Sequence, residues 1–230
     1  MTDELQPDLL AREPAALDWT ELAAAIAVCT ACGLAGERTQ TVPGTPIPGD
    51  ARGPHYGDRL GRPLLLVGEA PGAAEDASGV PFCGRSGMLL DRLLAAAGGD
   101  RELVGVVNVV KCRPPGNRVP ARAEKQACAP FLSRQLRLAG DGVLVVALGL
   151  SAVQWFLGPR VKLGEVRGRV HHVAQCRTGA VGLELDVLPT YHPSAALRFG
   201  PSSDVHQLLA ADLGLAVQLS KGIPPSGLSG

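Results

Sequence analysis

The sequence predicts a three-layer α/β/α domain with a central, mainly parallel sheet of four strands. Four short, near-continuously apolar runs recur along the 230-residue chain, and helical patterns separate them. Runs without polar alternation are typical of strands that are covered on both faces, which favours a parallel sheet. With 46% hydrophobic residues the chain can bury one sizeable core. We therefore expect a single domain over residues 1–230.

The N-terminal part contains one predicted helix between two irregular segments. Residues 1–15 are polar and are expected to be loosely held, as is the tail at 222–230. Asp18 and Glu21 form a capping-box pattern, which predicts a helix from Glu21 to Val28. Proline and glycine are frequent between residues 41 and 62, which predicts a surface loop inserted before the first strand.

The rest of the chain alternates between predicted strands and helices. The strands are Leu64 to Val67, Val104 to Val110, Val143 to Leu148 and Leu185 to Leu188. The helices are Ser86 to Ala97, Ala121 to Ala139, Ser151 to Leu157 and Asp204 to Leu219. Glycine or proline flanks the first three of these helices, as expected at helix boundaries. The last helix is amphipathic and is expected to pack on the sheet.

The composition indicates where the protein is located, but it does not identify a binding partner. The formal net charge is zero, so nucleic-acid binding would need a local basic face. No segment approaches the ~20 apolar residues that span a bilayer, and the acidic N-terminus lacks the basic region of a secretion signal. We expect a cytoplasmic protein without membrane contact. In that reducing compartment, six cysteines indicate metal ligands or catalytic thiols rather than disulfides.

Polar residues follow the predicted strands where a ligand would bind. Glu69 and Glu75 follow the first strand, Asn108 lies in the second, and His192 follows the fourth. Each residue alone has a structural explanation, in a turn or in backbone hydrogen bonding. Because ligands of open α/β sheets bind beyond the carboxyl ends of the strands, their joint placement indicates a site.

At these residues the chain resembles the family 4 uracil-DNA glycosylases. The resemblance rests on four ordered segments between Cys29 and Leu215. They are Gly68-Glu-Ala-Pro-Gly-Ala-Ala-Glu-Asp76, Gly79-Val-Pro-Phe-Cys-Gly-Arg-Ser-Gly87, Asn108-Val-Val-Lys-Cys-Arg-Pro-Pro-Gly-Asn-Arg118 and His192-Pro-Ser-Ala-Ala-Leu-Arg198. The ordered set is specific, whereas the His-Pro-Ser segment alone is not.

The resemblance implies that Cys29, Cys32, Cys112 and Cys128 ligate a 4Fe-4S cluster with a structural role. A Cys-x-x-Cys pair and a distant pair separated by fifteen residues supply four soft thiolates. Four cysteines also suit tetrahedral zinc, but the fifteen-residue gap differs from the short repeated knuckle of a zinc ribbon. Zinc therefore remains the competing metal. Cys83 and Cys176 are left over, and packing is their default explanation.

The resemblance also assigns the reading of the base. Phe82 matches the family's stacking aromatic residue, which would hold a base extruded from DNA. Asn108 matches the amide that presents a donor and an acceptor to uracil, a pattern that cytosine does not complement. His192 matches the residue near the leaving base, where an N–H donor would stabilise developing negative charge.

Two carboxylates and a backbone segment complete the implied site. Glu75 matches the carboxylate proposed to hold water or face the sugar cation. Glu69 lines the same turn as the backbone of Ala70 and is expected to crowd the methyl group that distinguishes thymine. A related glycosylase family has aspartate at the position of Ala70 to orient water, which is why that task is assigned to Glu75 here.

For DNA contact, Leu197 is expected to be the apolar wedge that fills the gap left by the extruded base. Its structural alternative is a core leucine. Basic residues flanking the four segments are expected to meet phosphates, although a solvated surface position is the default for each. They are Arg85, Lys111, Arg113, Arg118 and Arg198.

The sequence thus predicts a monomeric enzyme that hydrolyses uracil from single- and double-stranded DNA and leaves an abasic site. Two alternatives remain. One is a uracil-DNA binding or damage-sensing iron-sulfur protein with little or no turnover. The other is a redox-responsive iron-sulfur module whose DNA affinity follows the charge of the cluster.

Overall fold

The computed structural model describes residues 17–48, 62–174 and 184–223. Within these ranges the chain forms one five-stranded sheet of order β2-β1-β3-β5-β4. The strands are β1 (Leu64–Gly68), β2 (Gly105–Asn108), β3 (Leu144–Leu148), β4 (His171–Val173) and β5 (Leu185–Thr190). Neighbouring strands are parallel except for β4, which pairs antiparallel with β5. The predicted α/β class with a mainly parallel sheet is confirmed.

Helices cover both faces of the sheet. They are α1 (Trp19–Ala27), α2 (Ala73–Ser78), α3 (Arg85–Ala96), α4 (Arg122–Ala139), α5 (Leu150–Leu157), α6 (Leu163–Val166), α7 (Pro193–Phe199) and α8 (Asp204–Ser220). Short 3-10 turns lie at Gly33–Gly36, Arg101–Leu103 and Pro115–Asn117. None of the helices in the described ranges combines the length and apolarity that crossing a membrane requires.

The core is divided into two layers by the alternation of strand side chains. Leu65 and Val67 of β1 face the cluster built with α1, α4 and α5, whereas Leu64 and Leu66 face the cluster built with α3, α7 and α8. All of β1, β2 and β3 is buried. Burial of both strand faces explains why these strands are apolar without interruption, and it confirms the three-layer arrangement.

The strand count differs from the prediction. The sequence predicts four strands, but β4 adds a fifth at the edge of the sheet next to β5. This strand has three residues, of which only Val173 is buried, and it begins with His171 and His172. The hydrogen bond of His172 Nδ1 with Asp186 Oδ1, at 3.0 Å, links it to β5. A strand this short and polar carries no hydrophobic signal of its own.

The segment predicted as a surface loop is partly buried where the structure describes it. Val42 and Ile47 belong to the core, and Thr45 forms an antiparallel bridge with Val106 beside the edge strand β2. The first residues of the 41–62 segment therefore cover a sheet edge, and the surface loop stays a prediction for the rest of the segment. Residues 49–61 lie outside the described ranges, as do 1–16 and 224–230.

Helix α1 begins with the capping box that the sequence predicts. The Asp18 carboxylate accepts a hydrogen bond from the Glu21 N–H at 2.9 Å, and the Glu21 carboxylate accepts one from the Asp18 N–H at 2.9 Å. Two otherwise unpaired N–H groups are satisfied in this way. Leu22, Ala25 and Ile26 then face the core.

A buried network of one ion pair and one hydrogen bond fastens the end of β5 to the last helix. Asp212 of α8 pairs with Arg167, and their side chains are only 3% and 16% exposed. Asp212 also accepts a hydrogen bond from the Thr190 hydroxyl at 2.6 Å. Thr190 lies directly before Tyr191 and two residues before His192. The network holds in place the segment from which the chain enters α7.

Replacing Asp212 with alanine is expected to lower the free energy of unfolding by about 3–5 kcal/mol, because Arg167 is left buried without its counter-charge. Chemical denaturation measures the loss. Glu165→Ala is the matched control, since its pair with Lys162 is 66% and 79% exposed. That variant is expected to lose less than about 1 kcal/mol. Equal losses in the two variants would contradict the network's role.

Candidate active site

One cavity of about 610 Å³ opens at the carboxyl ends of the four parallel strands. This volume lies within the range of small-molecule sites. Its walls come from the turn after β1, the end of β2, the start of α5 and the start of α7. The lining includes Glu69, Ala70, Glu75, Phe82, Arg85, Asn108, Arg118, Gly149, His192 and Ser194. The structure therefore brings the predicted carboxylates, amide, phenyl ring and imidazole together.

Asn108 presents an unsatisfied polar atom to this cavity. The residue is 2% exposed at the end of β2, where it pairs in register with Gly68. Its Oδ1 atom is buried and has no hydrogen-bond partner among the described residues. A buried oxygen without a partner costs free energy, so its placement indicates an atom that a ligand completes.

Gly68 allows Asn108 and Phe82 to approach each other. A Cβ atom at position 68 would lie 2.3 Å from Asn108 Oδ1 and 2.8 Å from Phe82 Cζ. Both distances are shorter than real contacts, so any side chain there would displace the two groups. Glycine at the end of β1 is required by this contact.

Phe82 has an unusual backbone conformation. It lies in the left-handed region with φ of 55°, and its side chain is 8% exposed. A Cβ atom at Gly87 would lie 1.5 Å from the Phe82 carbonyl oxygen, so only glycine fits below the turn. Non-glycine residues in this region are strained and concentrate at functional sites. The ring centroid lies 5.8 Å from that of His192, with the planes tilted by 36°.

His192 is held as one neutral tautomer. The residue caps α7, and its Nδ1 accepts a hydrogen bond from the Ser194 backbone N–H at 3.1 Å. The Ser194 hydroxyl lies 2.8 Å from the same nitrogen. Because Nδ1 is an acceptor, the neutral ring carries its proton on Nε2 and offers a donor.

The pKa of His192 favours the same state. Desolvation lowers it to about 4, and the nearby charge of Glu75 opposes that shift. At neutral pH the ring is therefore uncharged. A neutral imidazole acts as a hydrogen-bond donor in the cavity and not as a cation.

Glu75 has a structural task in addition to lining the cavity. Its carboxylate accepts a hydrogen bond from the Gly72 N–H at 3.1 Å and another from the Gly84 N–H at 2.9 Å. The first closes the start of α2, and the second fixes the turn that follows Phe82. Glu75 thus links two cavity walls, and the role predicted for it toward water stays a prediction.

Glu69 and Ala70 form the wall next to Asn108. Both line the cavity and are partly exposed. The Glu69 carbonyl accepts a hydrogen bond from the Val110 N–H at 3.1 Å, which ties the turn to the segment after β2. Glu69 therefore lies at the cavity, and its contact with substrate stays a prediction.

The residues predicted to meet DNA are placed differently from one another. Arg118 lines the cavity and forms a two-pronged ion pair with Glu124, at 2.9 and 2.7 Å. Arg198 is exposed on α7. Leu197 is partly buried and packs against the core cluster under α7, and its wedge role stays a prediction. Phe199, at the end of α7, is 63% exposed.

Lys111 is not available to phosphate. Its side chain is 1% exposed, which corrects the expectation of a surface contact. The Nζ atom donates to the Asn108 carbonyl oxygen and to Gln135 Oε1, both at 2.5 Å. Burial lowers the pKa of Lys111 to about 8, and the Cys128 and Cys112 thiols oppose this shift when ionised.

The four predicted ligand cysteines surround a second, smaller cavity. Cys29 and Cys32 follow α1, Cys112 follows β2, and Cys128 lies in α4. Two N–H groups donate to these sulfurs: Arg38 Nη1 to Cys112 Sγ at 3.2 Å, and the Lys111 backbone to Cys128 Sγ at 3.3 Å. Such donors stabilise thiolates, so the donor set fits a cysteine-ligated cluster. Only the chemistry of the donors fits, because the described side chains include no group of three or more His, Cys, Asp or Glu residues that is arranged to hold a metal ion.

Comparison with known proteins agrees with this geometry. The family model of the uracil DNA glycosylase superfamily matches residues 54–213. The type-4 uracil-DNA glycosylase of Thermotoga maritima is 38% identical over 186 residues, which cover 80% of this chain and 85% of the relative. This chain belongs to the type-4 family of uracil-DNA glycosylases.

Further relatives of this uracil-DNA glycosylase family member span two types. The type-4 enzyme of Pyrobaculum aerophilum is 39% identical over 191 residues, covering 79% of this chain and 86% of the relative. The type-5 uracil-DNA glycosylase of Mycobacterium tuberculosis is 33% identical over 203 residues, covering 76% and 72%. Identity is thus higher to the type-4 relatives.

Several cavity residues of this type-4 family member were not predicted from sequence. Ser194 fixes the tautomer of His192, and its only signal was its position in the His-Pro-Ser segment. A Cβ atom at Gly149 would lie 2.9 Å from His192 Cβ, so this glycine after β3 allows the close approach. Arg38, which donates to Cys112, carried no sequence signal. Cys83, expected to be a packing residue, is exposed beside Ser78.

Proposed function

We propose that this protein is a uracil-DNA glycosylase that hydrolyses the N-glycosidic bond of deoxyuridine in DNA and leaves an abasic site. The proposal is supported by its type-4 relatives. The observation that carries it is the buried, unpartnered Oδ1 of Asn108, in one cavity with the Phe82 ring and a neutral His192. A single domain would contain the whole site.

Recognition would occur at the pairing edge of an extruded base. The Asn108 amide would accept a hydrogen bond from the uracil ring N–H and donate one to the adjacent carbonyl. Phe82 would stack on the ring, and Glu69 would crowd the position of the thymine methyl group. Cytosine reverses the donor and acceptor at this edge, which would leave buried polar groups unpaired.

Bond cleavage would rely on stabilising the leaving group. As the bond between the sugar carbon and the base nitrogen breaks, electrons move onto the uracil and positive charge develops on the sugar. The Nε2–H of His192 would donate to the uracil oxygen that becomes negative. Because Ser194 already donates to Nδ1, the ring would need no rearrangement at this step.

A water molecule must then add to the sugar carbon and lose one proton, while the departing uracil anion gains one, so that a neutral base and an abasic sugar result. Glu75 would orient the water, or its charge would stabilise the sugar cation, while its hydrogen bonds to Gly72 and Gly84 keep the carboxylate in place. Each carboxylate oxygen has a second lone pair for water. Ala70, on the same wall, supplies backbone only.

DNA would cross the mouth of the cavity. We propose phosphate contacts for Arg118 and Arg198 and a wedge role for Leu197. Both single- and double-stranded DNA would be substrates, since an extruded nucleotide is the only requirement. The acting species would be a monomer, because one chain supplies every wall of the cavity.

The four cysteines would hold a 4Fe-4S cluster. When bound, it would supply a rigid cross-link between the segment after α1 and the walls formed by Cys112 and Cys128. The proposal includes a cytoplasmic location, supported by the use of cysteine, since a reducing compartment keeps thiolates available. Visible absorption and iron content of protein purified without oxygen would test it, and colourless, zinc-containing protein would refute it.

The activity is tested with a labelled oligonucleotide that contains one uracil. We expect alkali-sensitive abasic sites to form with uracil and not with thymine or cytosine at the same position. Tight binding of uracil DNA without release of the base would instead identify a damage-sensing protein. Absence of both binding and release would refute the proposal.

The rate of uracil release is expected to stay level between pH 7 and about pH 5 and to fall as the pH approaches 4. The cause is the lowered pKa of His192, about 4, below which the ring becomes charged and loses its Nδ1 acceptor. The unfolded chain takes up this proton near its ordinary pKa of 6.5, so stability also decreases below that pH. Single-turnover rates on single-stranded substrate, with circular dichroism as the folding control, measure the profile. A midpoint near 6.5 would contradict it.

A further inference from the structure

Lys111 is a buried cation that the proposed reaction does not use. Its side chain is among the largest that are fully buried in the described part of the protein. A lysine in such a position loses hydration and must be compensated by hydrogen bonds or by an opposite charge. Its contacts therefore indicate what it does.

These contacts connect strand β2, which carries Asn108, to two other segments. Nζ donates to the Asn108 carbonyl oxygen and to Gln135 Oε1 in α4. The Gln135 amide donates in turn to the Pro43 carbonyl at 2.7 Å, and the Lys111 carbonyl accepts from the Val42 N–H at 2.8 Å. Lys111 and Gln135 together thus link β2, α4 and the segment that covers the sheet edge.

The same residue contacts the cysteine cavity. The Lys111 backbone N–H donates to Cys128 Sγ, and Cys112 is the next residue in the chain. A group that made the Cys112 and Cys128 sulfurs anionic would place negative charge beside the buried ammonium. The wall of the cysteine cavity and the anchor of Asn108 are therefore one structural unit.

The Asn108 side chain tolerates little displacement. A Cβ atom added at Gly68 would clash with Asn108 Oδ1 and with the Phe82 ring, so both groups lie against the same backbone position. A shift of about 1 Å in a group that contacts substrate can cost about a hundredfold in rate. An anchor on the Asn108 backbone carbonyl would prevent such a shift.

We propose that Lys111 is a positioning residue that fixes the Asn108 amide for base recognition and couples it to the cysteine-lined cavity. This inference rests on the proposed function. It gives the buried Lys111 ammonium a role in uracil specificity. It also connects the cysteine cavity to the active site, because Lys111 directly precedes Cys112 and its ammonium donates to the Asn108 carbonyl.

A double-mutant cycle tests the proposal. Lys111→Met keeps the volume and removes both Nζ hydrogen bonds. We expect it to lower the single-turnover rate of uracil release by about ten- to hundredfold. If Lys111 acts through Asn108, the variant Asn108→Ala/Lys111→Met loses no more than Asn108→Ala alone. The preference for uracil over cytosine follows the same pattern.

Two controls separate positioning from general destabilisation. Lys162→Met removes an exposed lysine and is expected to keep the wild-type rate. If Lys111→Met fails to fold, two substitutions of Gln135 test the same hydrogen bond. Gln135→Leu removes an acceptor of Nζ, whereas Gln135→Glu keeps an oxygen there and should retain more of the rate. Iron content and the midpoint of thermal unfolding, measured for every variant, are expected to stay near those of the wild type.

The outcomes are distinct. Losses that multiply between Asn108→Ala and the Lys111 or Gln135 variant, in protein with wild-type iron content, would overturn the positioning role. A wild-type rate in Lys111→Met or, where that variant does not fold, in Gln135→Leu would do the same. Wild-type protein that releases no uracil overturns the proposed function and this inference with it. Non-additive losses in active protein support both.

Discussion

His192→Ala is expected to slow uracil release by about a hundred- to thousandfold, the usual cost of removing a donor that stabilises charge in the transition state. Nε2–H is the donor because Nδ1 accepts from the Ser194 N–H. The imidazole is neutral near pH 7, so its removal takes away a hydrogen bond and not a formal charge. Single-turnover kinetics should show the loss in the rate of release, with little change in the affinity for uracil DNA.

The matched control is Ser194→Ala. It removes the hydroxyl 2.8 Å from Nδ1 but keeps the backbone N–H that sets the tautomer. One hydrogen bond of about 1 kcal/mol corresponds to a loss of about fivefold. If His192→Ala lost no more than Ser194→Ala, His192 would not be the group that stabilises the leaving base.

The fold was predictable where burial is expressed in the sequence itself. Leu64 to Val67 and Val143 to Leu148 are apolar without interruption because helices cover both of their faces. The edge strand β4 escaped prediction because only Val173 of its three residues is buried. Val42 and Ile47 lie among prolines and glycines, and their burial depends on contact with the distant strand β2.

The site was predictable to the level of which strand ends meet. Asn108 ends β2 and His192 follows β5, and the parallel topology brings the carboxyl ends of these strands to one rim. Depth was not predictable. Lysine is usually a surface residue, so the sequence predicts that Lys111 is exposed. Only its contacts with Asn108 and Gln135 reveal that it is buried. The hydrogen bonds that the Glu75 carboxylate accepts from the Gly72 and Gly84 N–H groups likewise depend on a turn that no local sequence pattern specifies.

Asn108→Ala is expected to remove most of the discrimination between uracil and cytosine. A buried site built to pair with a polar edge rejects a mismatched analogue by about 10⁴-fold, because the mismatch leaves polar groups unpaired. Alanine has neither the acceptor Oδ1 nor the donor Nδ2. It can therefore neither form hydrogen bonds with uracil nor leave polar groups unpaired when cytosine is bound. The preference should fall to about tenfold or less, and release from uracil DNA should slow sharply.

The measurement is the ratio of single-turnover rates on matched oligonucleotides with uracil or cytosine at one position. Asn117→Ala is the control: this second amide also lines the cavity, but its Oδ1 already accepts from Arg113 at 2.7 Å. Its loss is expected to leave discrimination unchanged. Equal effects of the two substitutions would mean that the unpartnered oxygen at the end of β2 does not read the base. Recognition would then have to come from the shape set by Phe82 and Glu69.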